Sequence, residues 1–322
     1  MKHTIQKIGT IEGLSLLIHA PVPQLLGLIQ YPLYKGFSIP KKAGGYRKIL
    51  APAADLKMVQ SSLAVELQKL YVPPFSAFGF LHNREDEEKS IRANAQLHVG
   101  KKYLWNIDIK DFFGSISTQK IKDTLMAPPY LLKEQIAIDI ALLCCYQRQL
   151  PAGAPSSPIL SHIACKELDE ELLRLIKSQS TAIQVSRYAD DLSFSSHEEI
   201  TESFQVNVIQ LLKKHGFEVN TKKNRMAKFN QSKWVTGIKV NEKLNLDRRY
   251  IRNIRAILND IEQRGYQAAN CRYCEIIHEE EQADKLLHHL IGKINHVGFI
   301  RGKHDALYLK MKVRLSQIIH QL

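Results

Sequence analysis

Apolar positions change their spacing several times along the chain, and each change marks an element. Leu56, Val59, Leu63, Leu67 and Leu70 recur every three or four residues, which puts them on one helical face, and Asp55 stands where a cap would accept the first free amides. Before them, residues 1–34 carry scattered apolar positions interrupted by Pro21, Pro23 and Pro32, which predicts short helical pieces broken by turns. The run FSIPKKAGGYRKILAP sets two extended arms around Gly44 and Gly45, a hairpin pattern. YLWNIDIKDFF reads as a buried strand ending in an acidic, aromatic corner. A helix over 133–146 follows, then the turn-rich LPAGAPSSP, then an amphipathic helix from Pro158 to Lys177 with Ser157 as its cap. AIQVSRY and LSFSS are strands about the tip ADD, a helix over 198–215 stops at Gly216, and FEVN, RMAKF and KWVTGIKVN predict further strands. From Asp247 onward the spacing is helical, over 248–263, 282–297 and 304–321.

Strand, helix and hairpin alternating up to residue 240, then helices alone, predict an α+β fold of two or three subdomains without repeats or low-complexity linkers. No apolar run approaches the roughly 18 residues of a membrane span, and MKHTIQKIGTIEG lacks the layout of a signal peptide. A cytoplasmic protein with no membrane partner is therefore expected. Cys144, Cys145 and Cys165 sit among apolar residues as core fillers, and five cysteines in all give no expectation of disulfides. Cys271, Cys274 and His278 begin a zinc-like pattern, but only His288 and His289 offer further ligands, so ordinary helix and turn cysteines are expected. The acidic run REDEEKS predicts a solvated surface segment.

Charge narrows the partners. Forty-five Lys and Arg against 32 Asp and Glu leave a net +13, which favours an anionic partner. Five basic and no acidic residues lie between Lys35 and Lys48, and seven basic residues face Glu218 alone between Lys213 and Lys233. Taken alone, such runs are commonly solvated faces.

The chemistry centres on the tip ADD. Two adjacent carboxylates at a tight turn repel and raise each other's pKa, and a divalent cation relieves that repulsion. With Asp108 brought beside Asp190 and Asp191, three carboxylates suit two Mg²⁺ ions about 3.5–4 Å apart, one activating a hydroxyl and one holding a triphosphate. Aspartate also favours turns for its own sake, so the pair alone decides little.

The surrounding blocks decide more. DIKDFF, from Asp108 to Phe113, is similar to motif A of reverse transcriptases, LPAGAPSSP to motif B, YADD to motif C, GFEVNTKKN to motif D, and KWVTGIKVN to the strand bearing the primer grip. In this order, from residue 35 to 240, they resemble the reverse transcriptase family. The resemblance implies a right-hand polymerase architecture: an N-terminal helical segment (1–34), fingers (35–105), a palm (106–240) with a fingers insertion around 118–155, and a helical thumb (241–322). It implies Asp108, Asp190 and Asp191 as metal ligands and catalytic residues. Lys223 then falls at the motif D general acid, with Lys222 as the adjacent alternative and Asn224 where the family usually has threonine. Arg47 matches the fingers arginine that meets incoming triphosphate, with Lys41 or Lys42 assisting; by residue type alone they form a basic hairpin face. Phe113 falls at the steric gate, whose ring excludes a ribose 2′-hydroxyl and favours dNTPs, although an aromatic there also suits the core. Asp111 either meets the triphosphate through its backbone or caps the following turn. Motif B departs from the family, because Ala152 stands where glutamine usually precedes Gly153. The lost amide contact is absent or supplied elsewhere, while Gly153, Pro155, Ser156 and Pro158 still fit a loop open to close approach by template and primer.

Two signatures narrow the resemblance. IRANAQLH contains Asn94, Ala95 and His98 in an N-A-x-x-H pattern, and KWVTG contains Val235, Thr236 and Gly237. Together they resemble retron reverse transcriptases, which implies that Asn94, His98, Val235, Thr236 and Gly237 serve RNA or primer binding. The implied activity is copying of a cognate structured noncoding RNA, primed from the 2′-hydroxyl of an internal guanosine, into branched multicopy single-stranded DNA. The implied partners are that RNA and its DNA product, dNTPs, and a separate effector protein acting in antiphage defence, since the chain has no room for an extra enzymatic domain. In the tail, Arg248, Arg252 and Arg255 share one helical face with Arg249 nearby, either following a phosphate backbone or simply solvated. Tyr250 and Tyr273 stack on bases or pack in the core. The competing expectations are another prokaryotic, intron-like reverse transcriptase, which would typically carry maturase or endonuclease extensions, and an RNA-binding scaffold with a degenerate polymerase fold, against which the three carboxylates argue.

Overall fold

Thr10 opens the first helix by accepting a hydrogen bond from Gly13 N, and α1 (Ile11–Ile18) ends at His19 in the left-handed region. The structure, a computed structural model, describes residues 4–41, 44–81, 88–278 and 284–322. Lys42 and most of REDEEKS, residues 84–87, lie outside the described residues. After α2 (Val22–Gln30) comes the expected hairpin, β1 (Tyr34–Pro40) against β2 (Tyr46–Pro52), with Ile39 opposite Arg47 and both Gly44 and Gly45 at positive φ in the turn. Helix α3 (Ala54–Leu70) buries Leu56, Val59, Leu63 and Leu67 as their spacing demands. Its cap is Ala53, so Asp55 does not cap; it sits inside the first turn, where a carboxylate still favours the helix dipole.

Strand β3 (Ala77–Phe78) and helix α4 (Ile91–Gln96) lead to β4 (Tyr103–Asp108). Helices α5 (Thr118–Met126), α6 (Glu134–Cys144) and α7 (Ser157–Lys177) follow. Ser157 is the first residue of α7 rather than its cap, and its hydroxyl instead donates to the Pro151 carbonyl at 2.7 Å, tying down the preceding loop. The acidic hairpin is β5 (Gln184–Tyr188) and β6 (Asp191–Ser196). Helix α8 (Glu202–Lys214) starts four residues later than its spacing predicts because Thr201 takes the cap, accepting from Phe204 N.

Then come three short strands, β7 (Arg225–Ala227), β8 (Trp234–Val235) and β9 (Ile238–Lys239). FEVN forms no strand of its own, only a bridge between Val219 and Ile109. Among the described residues the tail holds four helices rather than three: α9 (Arg248–Arg264), α10 (Tyr266–Ile276), α11 (Lys285–Arg301) and α12 (Ala306–Gln321). Asp247 caps α9, and Gly265, at φ 81°, turns the chain sharply from α9 into α10.

The chain divides into two compact units, Met1–Lys89 with Trp105–Met226, and Ser90–Leu104 with Ala227–Leu322. The five-stranded sheet has the order β3-β5-β6-β4-β7, with β5 antiparallel to β6 and β3 parallel to β5. Trp105, Phe194 and Phe204 pack ring to ring, at 5.1 Å between Trp105 and Phe194 and 5.8 Å between Phe194 and Phe204, which seats α8 on this sheet. In the second unit Ile254, Leu258, Leu290, Ile294, Val297, Met311 and Leu315 form one core, joined by Ala95, Val235 and Ile238 from the α4 and β8–β9 segments. Cys271 and Cys274 lie one turn apart on α10, with Cys274 buried. Among the described residues no single helix is long and apolar enough to cross a membrane.

Candidate active site

Strand β6 lies between β5 and β4, so the tip of the β5–β6 hairpin falls beside the end of β4. Tyr188 pairs with Asp191, and Ile109 N donates to the Asp190 carbonyl at 2.9 Å, which fixes the tip against the residue following Asp108. Asp108, Asp190 and Asp191, separated by 82 positions in sequence at their widest step, thus share one end of the sheet.

Asp108 is only 6% exposed, and donors meet both of its carboxylate oxygens. Asn220 Nδ2 donates to Oδ2 at 3.1 Å, and Lys223 Nζ donates to Oδ1 in a short ion pair. The motif D segment supplies both, and the segment is itself fixed at several points. Asn220 N donates to the Asp108 carbonyl at 2.8 Å, Lys110 N to the Glu218 carbonyl at 2.8 Å, and the buried Trp105 indole to Asn224 Oδ1 at 2.6 Å. Asn224, where the family usually has threonine, therefore anchors the turn that presents Lys223.

The carboxylates carry the electrostatic signature of crowding. Burial and the charge of Asp108 raise the pKa of Asp190, while its own backbone amide, Lys223 and Arg47 oppose the rise. Burial of the carboxyl, then Asp190 and Asp108, push Asp191 up to about 6, although the residue as a whole is exposed. Lys223 moves the other way from a buried lysine: its bond to Asp108 and the surrounding carboxylates raise its pKa and keep it protonated. Arg47 projects from the exposed arm of β2 and acts on Asp190 through space. Lys41 is exposed at the hairpin end, where its amide donates to the Gly45 carbonyl at 2.9 Å.

Phe113 is half-buried, its ring 5.3 Å from Phe112, which stacks on Phe217. Asp111, at φ 46°, closes the turn: its carbonyl accepts from Ser115 N at 2.9 Å, and a Cβ at Gly114 would lie 2.7 Å from the Asp111 carboxyl carbon. Gly153, at φ 122°, makes its close approach to the chain's own β2, where a Cβ would meet the Leu50 carbonyl oxygen at 2.9 Å. Leu50 N donates to the Ala152 carbonyl at 2.8 Å. That bond uses backbone alone, so Ala152 serves it without an amide side chain.

The second unit brings the two retron signatures together, because α4 packs against β8 and β9. Asn94, His98 and Val235 are buried, and burial and Lys101 push His98 down to about 3, which keeps it neutral. Thr236 and Gly237 are the turn between β8 and β9, both at positive φ. Asn94 Oδ1 and Thr236 Oγ1 are buried without a hydrogen-bond partner among the described residues. Arg248, Arg252 and Arg255 lie exposed along α9, opposite the buried stripe Ile251, Ile254, Leu258 and Ile261. Tyr250 and Tyr273 are partly buried against the core, each beside a histidine ring.

Four residues escape a linear reading: Asn220, Asn224, Trp105 and Gly114. Each acts through a partner distant in sequence or through a missing Cβ, and only Asn224 left a trace, as a departure from the family pattern.

The profile of the reverse transcriptase (RNA-dependent DNA polymerase) family matches residues 39–266. Retron Mx65 reverse transcriptase of Myxococcus xanthus is 31% identical over 281 residues, covering 79% of this chain and 63% of its own length. Retron Ec86 reverse transcriptase of Escherichia coli is 31% identical over 234 residues, covering 71% of this chain and 70% of its own. The chain belongs to the retron-type reverse transcriptases. It spans less than two thirds of the Mx65 relative. Telomerase from Candida albicans, in complex with a TWJ fragment of telomeric RNA, shares the fold with a TM-score of 0.53 at 12% identity, over 91% of this chain and 63% of its own. The α+β right-hand polymerase fold is thus established for this reverse transcriptase.

Among the described residues no group of three or more His, Cys, Asp or Glu lies in an arrangement that could hold a metal ion as it stands. The donors nevertheless fit Mg²⁺ in kind: three carboxylates supply hard oxygens, their mutual repulsion favours a cation, and the Lys223 ammonium already occupies part of that field. For Asp108 to serve as a ligand, Lys223 must release Oδ1.

Proposed function

We propose that this reverse transcriptase is an RNA-directed DNA polymerase that copies its own structured noncoding RNA into branched multicopy single-stranded DNA. The observation that carries the polymerase chemistry is the meeting of Asp108, Asp190 and Asp191 at one sheet end with Lys223 bonded to Asp108 and Arg47 within electrostatic reach, and the branched product rests on the chain's place among the retron-type reverse transcriptases. Asp108, Asp190 and Asp191 would hold two Mg²⁺ ions, which would supply a lowered pKa for the attacking hydroxyl and countercharge for the triphosphate and leaving pyrophosphate. Lys223, kept protonated by its carboxylate neighbours, releases Asp108 and gives its proton to the pyrophosphate. Arg47, with Lys41 beside it on the hairpin, draws in the triphosphate. The neutral ring of Phe113 sits where a 2′-hydroxyl would need space. Asp111 and Gly153 shape the walls through backbone turns.

Residues 1–34, 35–105, 106–240 and 241–322 take the roles of N-terminal segment, fingers, palm and thumb, with 118–155 as the fingers insertion, although residues 90–104 and 227–240 pack in the same compact unit as the tail helices. Arg248, Arg252 and Arg255 follow a phosphate backbone. Asn94, His98, Val235, Thr236 and Gly237 support an RNA-facing turn from below, RNA shape and single-stranded ends being the target. The reaction belongs in the cytoplasm as part of antiphage defence, with a separate effector protein.

Nucleic acid copurified from the native host is expected to contain DNA joined to RNA through a 2′,5′ linkage, detected by debranching and sequencing. Linear DNA alone, or none, would refute the retron-specific step. Replacing Phe113 by alanine is expected to raise ribonucleotide incorporation relative to dNTPs by about tenfold or more, as opening a close-packed wall removes a steric barrier of more than one kcal/mol. An unchanged ratio in single-nucleotide extension would place the discrimination elsewhere.

A further inference from the structure

The turn that carries the acidic pair rests on a buried ionic chain that nucleotidyl transfer does not use. Arg187, two residues before Ala189, is 1% exposed on β5. Its Nε and Nη2 donate to Oδ1 and Oδ2 of Asp169 on α7 at 2.7 and 2.6 Å. Its Nη1 donates to the Ala189 carbonyl at 3.3 Å, and Nη2 faces His162 Nδ1 at 3.3 Å. His162 Nε2 lies 2.6 Å from the Gly79 carbonyl. Since Nδ1 meets a guanidinium donor, it must accept, so Nε2 carries the proton and donates to Gly79. Burial and then Arg187 push His162 down to about 3, in keeping with that neutral tautomer.

This chain reaches the turn by a second path. Gly79, at φ 82°, lies so close beneath Tyr188 that a Cβ would stand 3.0 Å from its ring, and Arg187 N donates to the Ser76 carbonyl at 2.8 Å. Helix α7, strand β3 and strand β5 thus converge on the three residues that precede Asp190.

A buried ion pair adds little to stability compared with apolar side chains of similar volume, so the fold alone gives no reason for Arg187 and Asp169. The conformation of the turn does. Ala189 stands at φ 55°, the left-handed region that residues with a Cβ disfavour, and its carbonyl is the one the guanidinium holds.

We propose that Arg187 is a positioning residue: oriented by Asp169 and His162, it holds the Ala189 carbonyl and thereby keeps Asp190 and Asp191 in place beside Asp108. This rests on the reading of those three carboxylates as the reactive centre. Asp169 acts on the turn through Arg187, and His162 acts through Arg187 and through Gly79 beneath Tyr188.

The test is primer extension on an RNA template by the purified full chain, read as kcat and as KM for dNTP beside the thermal midpoint. Arg187→Lys retains a charge for Asp169 but cannot also serve Ala189 and His162. It is expected to lower kcat by about tenfold or more and change KM by no more than about twofold, since small displacements of reacting groups act on the chemical step. Adding Ala189→Gly to Arg187→Lys is expected to restore kcat several-fold, because glycine adopts positive φ without being held. A general packing defect would not be relieved by a second substitution that removes a methyl group. Wild-type kcat in Arg187→Lys, or no gain from the added Ala189→Gly, would overturn the proposal. Should Arg187→Lys not fold, the apolar pair Arg187→Met with Asp169→Leu, with and without Ala189→Gly, carries the same two expectations and the same overturning results. A folded wild-type protein that extends nothing would overturn the reading of the centre itself, and with it any need to position the turn.

Discussion

Asp190→Asn combined with Asp191→Asn is expected to abolish RNA-templated primer extension, with a loss of about a thousandfold or more, because it removes the proposed metal ligands, whose charge would stabilise the transition state by several kcal/mol. Asparagine keeps the shape of the turn, and the bond from Ile109 N to the Asp190 carbonyl is backbone and survives. Burial, then the charges of Asp190 and Asp108, raise Asp191 to about 6, and the double substitution removes the two adjacent, partly buried charges, so the metal-free protein should melt no lower than wild type. RNA binding should persist, since the exposed arginines of α9 proposed to carry it lie in the other compact unit. Extension assays, RNA titration and thermal melting on the same preparation separate these effects. Undiminished synthesis by the double variant would remove the acidic turn from the chemistry.

Gly153→Ala is expected to have the next largest effect, and by a different route. The backbone there is at φ 122°, and an added Cβ would sit 2.9 Å from the Leu50 carbonyl oxygen and 2.7 Å from Ile49 Cγ2. Ile49 can rotate, but the Leu50 carbonyl belongs to a paired strand and cannot readily withdraw. The strained conformation alone costs about 1–3 kcal/mol, and the clash adds to it. The loop would part from β2, losing the bond from Leu50 N to the Ala152 carbonyl and shifting the arm that carries Arg47. The thermal midpoint should fall by several degrees and KM for dNTP should rise. A variant with wild-type melting and KM would show that the loop does not depend on this approach. Ala152→Gln, by contrast, leaves the backbone bond intact.

The meeting of the three candidate carboxylates was legible because the proposed phosphoryl chemistry needs particular residue types in ordered blocks, and Asp108, Asp190 and Asp191 satisfy that in sequence. Helices α9, α11 and α12 of the tail were legible from their apolar stripes, as Ile251, Ile254, Leu258 and Ile261 show for α9, whereas α10 was not. Caps were misplaced by one or two residues at Asp55 and Ser157, because a cap depends on the dihedrals of the flanking residues as well as on its side chain. Strand β3 was invisible: two residues carry no alternation, and its pairing partner lies more than a hundred positions away. Asn220 was equally hidden, since its value lies in meeting Asp108 across 112 positions. Arg187 was in plain sight beside YADD, yet only the structure supplies Asp169, His162 and the Ala189 carbonyl as its partners. The two retron signatures show the opposite case. Patterns far apart in sequence meet in one unit, but as a largely buried support rather than as a row of exposed contacts.

The most direct measurement gives the purified chain an RNA template with an annealed primer, Mg²⁺ and either dNTPs or ribonucleotides. The expected result is DNA extended to the end of the template with dNTPs, little product with ribonucleotides, and none when Mg²⁺ is chelated. A folded protein that binds the RNA but makes no DNA under these conditions would contradict the account.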